Sequence, residues 1–389
     1  MNEISQTDTA RVRCPYAADC GGCDYIHMPY REQLAMKQAL VAKLLKPFGH
    51  VEQIRGMDDP LHYRNKVHAV FANDRRGRLI AGVYRQGTHR VVPVTNCLIE
   101  DTRASAIIAT VSDLAQRFGI PAYDEDRHTG FLRHALVRAG KTEIMLVLVT
   151  AQPSFPGKGA FMKALLTAHP EITTVVQNLN NRDTSMVLGA RDHTLFGKGT
   201  IEDTLCGKVF RLSPQSFYQV NSAQTEVLYK LAGEMAALTG TETLLDAYCG
   251  VGAIGLTMAD RCKRLIGVEL NPDAVRDAQG NARRNSVTNA TFYADDAGRF
   301  MRRCSREGYT ADVVVMDPPR SGSDPVFLDS LALLAPKRVV YISCEPTTLA
   351  RDVTYLCARG YRMQRAVPVD MFPATEHVET AVCLVRKNG

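Results

Sequence analysis

No stretch of this chain stays apolar long enough to cross a membrane. The longest apolar run, Ile144 to Ala151, falls far short of the roughly 20 residues that a spanning helix needs. The N-terminal MNEISQTDTARVR lacks the apolar segment of a secretory signal. These absences predict a cytoplasmic protein with no membrane partner. Repeats, low-complexity tracts and long polar linkers are also missing, so folded domains, two or three of them, must account for the 389 residues. Charge of neither sign dominates. A net charge of +6 from 47 basic and 41 acidic residues permits a nucleic-acid partner without demanding one.

Cysteine, by contrast, is plentiful. Eleven of them in a chain read as cytosolic argue for metal binding or catalysis rather than a disulfide framework. Cys14, Cys20 and Cys23 crowd the segment CPYAADCGGCD, where Gly21-Gly22 lets the backbone fold tightly, and Cys97 follows 74 positions beyond Cys23. Three thiolates cannot complete a tetrahedral site, and Cys97 is the obvious fourth. Four cysteines fit a structural zinc or an iron–sulfur cluster. The residues themselves favour zinc, because the ferredoxin spacings are not matched.

Helical patterning over His27 to Phe48 places Leu34, Met36, Leu40, Val41, Leu44 and Leu45 at its apolar positions. Short alternating strands follow at HYRNKVHAVFA, GRLIAGVYR and HRVVPV, bearing Arg64, Lys66, Arg75, Arg76, Arg78, Arg85 and Arg90. Cations interleaved with Tyr63 and Tyr84 suit a phosphate backbone and its bases, or equally a solvated sheet face. A helix near Arg103 to Arg117, strands FLRHALVRAG, TEIMLVLVTA, TTVVQNLNN and TSMVLGA, and a helix over Lys158 to Ala168 complete an α+β pattern.

The second half reads as α/β. An apolar strand, Thr243 to Asp246, runs into Ala247-Tyr248-Cys249-Gly250-Val251-Gly252-Ala253-Ile254-Gly255, a G-x-G-x-x-G turn that opens a helix and suits a nucleotide-like ligand. RLIGVEL carries Glu269 where a ribose diol would lie, and the strand ending Asp295-Asp296 brings Asp296 toward an adenine amino group. A dinucleotide and S-adenosylmethionine both fit this unit. The apolar strand before Asp317-Pro318-Pro319-Arg320 then sets a rigid polar tip beside the ligand, as in nucleobase methyltransferases and not in dehydrogenases. The run VVYISCEPTTLARDV delivers Cys344 to a strand's carboxyl end, where a helix opening at Thr347 or Thr348 would lower its pKa.

Read in order, the Gly-rich turn, DPPR, SCEPTTLARD and FPATEHVET resemble the RNA uracil-5 methyltransferase family, most closely its iron–sulfur branch acting on 23S ribosomal RNA. YRNK (63–66), GFLRH (130–134), QNLN (177–180) and SPQSFYQVN (213–221) extend the likeness over nearly the whole chain. The resemblance implies a C-terminal Rossmann-like class I methyltransferase sheet behind an N-terminal α+β domain carrying the cluster. The boundaries are a cysteine-rich segment and helix over 1–60, a central RNA-binding α+β domain over 61–212 that contributes Cys97, and the methyltransferase domain over 213–389. It implies Cys344 as nucleophile and Glu379 of HVET as base. Gln219, Tyr248, Gly250, Gly252, Glu269, Asp296 and Asp317 would surround S-adenosylmethionine or the target base. Cys14, Cys20, Cys23 and Cys97 match ligands of a [4Fe-4S] cluster, which displaces zinc.

The implied chemistry adds the Cys344 thiolate to uracil carbon 6, so that carbon 5 takes the sulfonium methyl and loses its proton to Glu379. The target base must leave its stack to be reached. RNA is the expected partner, with 23S ribosomal RNA ahead of transfer RNA, no DNA, and a monomeric chain. Relatives often carry an RNA-binding β-barrel before the cysteines. Only 13 residues precede Cys14 here, so that barrel is expected to be absent. Glu345 and Ser321 stand where relatives often have Asn and Lys.

Overall fold

The computed structural model describes residues 12–183 and 186–387; the segment read above for a signal therefore lies largely outside the described residues. After a one-turn helix α1 (Ala17–Cys20) comes α2 (Tyr30–Leu45). Its buried stripe is not the one expected. Tyr30, Gln33, Lys37, Val41 and Leu45 face inward, whereas Met36 and Leu40 are exposed. Two polar residues occupy the core stripe because distant partners satisfy them: Gln33 accepts from the Ala374 N–H at 2.8 Å, and Lys37 Nζ donates to Asp370 Oδ1 at 2.6 Å.

The first large sheet is built from β1 (Lys66–Asn73), β2 (Leu79–Tyr84), β3 (Val91–Pro93), then, after α3 (Thr102–Arg117), β4 (Leu132–Ala139) and β5 (Ile144–Thr150), and, after α4 (Lys158–Ala168), β6 (Ile172–Leu179) and β7 (Arg191–Phe196). Its order is β3-β2-β1-β4-β5-β6-β7. Only the β5–β6 pair is parallel, and α4 makes that crossover. Every residue of β4 and β5 is buried, as expected of strands covered on both faces. Val137, Leu146 and Leu148 pack with α3 and α4, while Leu136, Met145 and Val147 join the core of the C-terminal half. The strand expected over TSMVLGA does not form in its described part. The partner of β6 is instead the polar β7, mostly exposed as suits an edge.

A hairpin of β8 (Ile201–Leu205) and β9 (Lys208–Leu212), and the helix α5 (Ser222–Ala236), lead into the second sheet. There β10 (Thr243–Ala247), α6 (Ala253–Met258), β11 (Arg264–Glu269), α7 (Pro272–Arg284), β12 (Ala290–Ala294), α8 (Ala297–Arg306), β13 (Val313–Met316), α9 (Pro325–Leu334), β14 (Arg338–Ser343), α10 (Pro346–Cys357), β15 (Tyr361–Val369) and β16 (Glu379–Arg386) alternate in the Rossmann manner. The order is β12-β11-β10-β13-β14-β16-β15. Six strands point the same way, and β16 is wedged antiparallel between β14 and β15. α5, α6 and α7 cover one face. The other is covered by α8, α9 and α10 together with Val41 and Leu45 of the N-terminal helix α2. No helix among the described residues is long and apolar enough to cross a membrane.

Candidate active site

The strand order reverses beside β10, with β11 on one side and β13 on the other, which is where open α/β sheets bind ligands beyond their carboxyl ends. A cavity of about 730 Å³ opens there, lined among others by Gln219, Tyr248, Gly250, Glu269 and Asp317. The turn that forms its floor requires left-handed backbone at Tyr248, Gly250 and Gly252 (φ 64°, 55° and 82°), which glycine adopts without penalty and tyrosine does not. Glu269 closes that turn: its carboxylate accepts from the Gly250 N–H at 3.1 Å and from the Asn271 N–H at 2.8 Å. Gly252 heads α6, and Asp296 is spent on capping α8 through the Arg299 N–H at 2.8 Å. Neither lines the cavity.

Cys344 and Glu379 come together through strand register. β14 and β16 pair antiparallel from Arg338↔Val385 to Ser343↔Thr380; Cys344 follows Ser343 and Glu379 precedes Thr380, so the two leave the same end of that ladder. Glu379 lies near enough for its charge to raise the Cys344 thiol. Two residues thirty-five positions apart in sequence thus meet at one end of the ladder. Glu379 is buried, and its Oε2 has no hydrogen-bond partner. Cys344 is partly exposed.

The electrostatics of this corner are anionic. Burial, then repulsion from Glu379 and Asp317, pushes the Cys344 thiol up to about 11, with Arg320 acting in the opposite sense. Burial thus outweighs the lowering expected from backbone amides; α10 begins at Pro346, a residue earlier than expected, and its Thr347 N–H donates to the Glu345 side chain at 3.1 Å. Desolvation also holds the Glu379 and Asp317 carboxyls above their usual range, and the two repel one another. Arg320 Nη2 lies 3.1 Å from His377 Nε2.

Three residues absent from the sequence reading shape the site. Asp246, fully buried, accepts from the Gly255 N–H at 2.8 Å, and its second oxygen has no partner. Its signal was available, a lone carboxylate in an apolar strand. Asp352 accepts from the Ser323 N–H at 2.8 Å and from Tyr341 Oη at 2.7 Å, and so ties the loop after Asp317 to α10 and β14. Gly322 fits that junction because a Cβ would sit 2.6 Å from Arg351 Nη2 and 2.7 Å from Asp352 Oδ2.

Away from this corner, Cys14, Cys20, Cys23 and Cys97 line one cavity of about 350 Å³ with Ile26 and Val94. The Cys23 thiol is pushed up to about 12 by burial and by Cys97, Cys20 and Cys14 beside it, and Cys97 to about 11 by burial and Glu100. Among the described residues no group of three His, Cys, Asp or Glu side chains is arranged to hold a single metal ion.

The family profile described as tRNA (Uracil-5-)-methyltransferase matches residues 196–387. An RNA methyltransferase of Halalkalibacterium halodurans is 42% identical over 388 residues, 98% of this chain and 84% of that protein. One of Staphylococcus aureus is 41% identical over 374 residues, 94% of this chain and 82% of that protein. Among solved structures, the tRNA (uracil-54, C5)-methyltransferase of Pyrococcus abyssi in complex with S-adenosyl-L-homocysteine matches with a TM-score of 0.79 and 27% identity, over 94% of this chain and 86% of that one. The chain belongs to the S-adenosylmethionine-dependent RNA methyltransferases of the uracil-5 family.

Proposed function

We propose that this enzyme methylates carbon 5 of a uridine in RNA through a covalent bond between Cys344 and the base. The observation that carries this reading is that Cys344 and Glu379 lie at the same end of the β14–β16 ladder, with the buried Glu379 Oε2 left without a partner. Cys344 attacks uracil carbon 6 as the thiolate, and the electron pair passes to carbon 5, which displaces S-adenosylhomocysteine from the sulfonium methyl. Glu379 then takes the carbon-5 proton, and the pair left behind expels Cys344 to restore the ring. Arg320 is the positive charge that favours the thiolate. Desolvation keeps Asp317 suited to hydrogen bonding with the uracil edge. Gln219, Tyr248, Gly250 and Glu269 would hold the methyl donor in that cavity; Gly252 shapes its floor, and Asp296, which caps α8 and whose charge reaches Tyr248, would face the adenine end.

The four cysteines suit a [4Fe-4S] cluster better than zinc. They line one cavity, and the resemblance to the iron–sulfur branch is what favours the cluster there. Their mutual repulsion as thiolates calls for a cationic partner. Residues 61–212 form the proposed RNA-binding unit. The resemblance to the iron–sulfur branch favours 23S ribosomal RNA as substrate; the likeness to the Pyrococcus abyssi enzyme favours transfer RNA as the second reading.

The test is incubation of the protein and of Cys344→Ala with S-adenosylmethionine and either RNA containing 5-fluorouridine. Fluorine cannot leave to Glu379, so a denaturation-resistant adduct accumulates with the parent and is absent with the variant. The RNA that gives it identifies the substrate. An adduct with neither RNA refutes the covalent mechanism.

A further inference from the structure

YRNK and GFLRH, two of the motifs that carried the resemblance, take no part in the chemistry above. In the structure they meet. β1 and β4 pair with Lys66 opposite Arg138, His68 opposite Leu136 and Val70 opposite His134, and strand alternation puts all six on one face. Leu136 packs in the core shared with the C-terminal half, so that this face turns toward the methyltransferase domain.

Four basic side chains therefore gather in an interior seam. Arg138 and His134 are 3% and 6% exposed, whereas Lys66 and His68 are partly open to solvent. The rings of His68 and His134 lie 4.9 Å apart. Among the described residues no acid pairs with any of the four, and Lys66 Nζ has no hydrogen-bond partner. Arg138 Nε, His68 Nε2 and His134 Nδ1 are buried without partners. Arg138 spends one N–H on the Ser216 carbonyl. Asp277, which reaches the same loop, is taken by Ser216 Oγ at 3.2 Å. Arg138 is a buried cation with no acid beside it, which is costly unless an anion completes it. Burial and Arg138 press Lys66 down to about 8, and burial presses His134 to about 3.

We infer that Lys66 and Arg138, flanked by His68 and His134, bind a backbone phosphate of the RNA substrate next to the flipped uridine. The location fits. Asn65, the neighbour of Lys66, donates to the Gln219 carbonyl at 3.2 Å, and the 216–219 loop that Arg138 grips also lines the cofactor cavity through Phe217, Tyr218 and Gln219. A phosphate held there fixes the strand at the point where the base must turn toward Cys344.

The inference rests on RNA as substrate, yet its test does not rest on the chemistry. Binding of fluorescein-labelled transfer RNA and 23S fragments to the full chain is measured against salt, together with binding of S-adenosylhomocysteine. Lys66→Met should weaken RNA binding about five- to tenfold and flatten the slope of log Kd against log salt by about one, the loss of one phosphate contact. Lys66→Arg should restore the slope, and S-adenosylhomocysteine should bind unchanged. In the parent, one methylphosphonate beside the uridine should cost the same factor, and Lys66→Met should be insensitive to it. An unaltered slope and Kd in Lys66→Met overturn the proposal. So does a parent indifferent to methylphosphonate at every position, even if Lys66→Met misfolds and loses S-adenosylhomocysteine, because the cluster would then serve a free anion. Failure of methyl transfer to carbon 5 would sink the proposed function and leave these binding measurements intact.

Discussion

Ser343 pairs with Thr380 across β14 and β16, which brings Cys344 and Glu379 to the same end of that ladder. A nucleophile beside an acid pays in thiolate, because each anion raises the pKa of the other. Glu379→Gln keeps the shape and removes that charge, so it should lower the pH midpoint of Cys344 alkylation by iodoacetamide by about one unit. In the parent the rate should still be climbing above pH 9, since the thiol is held near 11. Superimposable pH–rate curves would mean that Glu379 does not act on the thiol.

Loop bracing gives a second prediction. Asp352, fully buried, holds Ser323 and Tyr341. Asp352→Ala leaves both donors unmet and should cost about 2–4 kcal/mol in urea unfolding, with methyl transfer falling further than the folded fraction. Gly322→Ala should act in the same direction, because the new Cβ enters the Arg351–Asp352 contact at a left-handed backbone position. Full activity in both variants would show that the loop carrying Asp317 keeps its place unaided.

These two junctions mark where the sequence was legible and where it was not. The strand–turn–helix units around Gly250 and Cys344 are apolar runs broken by glycine or proline, a local signal, and they fold as read apart from the start of α10. β7 was missed because an exposed edge strand such as Arg191–Phe196 has no apolar alternation to show. The stripe of α2 was misread because Lys37 and Gln33 are buried against residues more than 330 positions away, and no window along the chain contains both partners. Bringing Cys344 and Glu379 to one end of the sheet needed the antiparallel insertion of β16, a feature of topology rather than of pattern.

The Lys37–Asp370 pair, 2.6 Å apart and almost without solvent, yields the third prediction. Lys37→Met strands a buried carboxylate that retains Tyr30 Oη at 2.8 Å as a donor, and should cost about 3–5 kcal/mol. Adding Asp370→Leu removes the stranded charge and should recover more than half of the loss. A double variant no better than the single one would place the cost in packing of α2 rather than in charge.

For the cysteine cavity the expected result is compositional. Protein prepared without oxygen should contain iron and acid-labile sulfide, and Cys97→Ser should lose both while S-adenosylhomocysteine still binds, because that cavity and the cofactor cavity have no lining residue in common. Zinc in place of iron would return the site to the reading that cysteine spacing alone favours.

Asp246 provides a pH test of stability. Burial pushes its carboxyl up to about 7, the Gly255 N–H offsets part of this, and Asp317 and Glu269 add repulsion. A carboxyl raised in the folded state holds its proton there after the unfolded chain has released it. Folding therefore loses stability as pH rises from about 4, the unfolded value, until the folded carboxyl itself ionises near 7, and nothing more is lost above that. Asp246→Asn cannot ionise and keeps an acceptor for Gly255. Its stability relative to the parent should accordingly rise by about 1.4 kcal/mol per pH unit between pH 5 and 7 and level off by pH 8. Parallel urea-unfolding profiles across that range would mean that Asp246 is ionised in the folded protein, and that the positive end of α6 outweighs the cost of burying it.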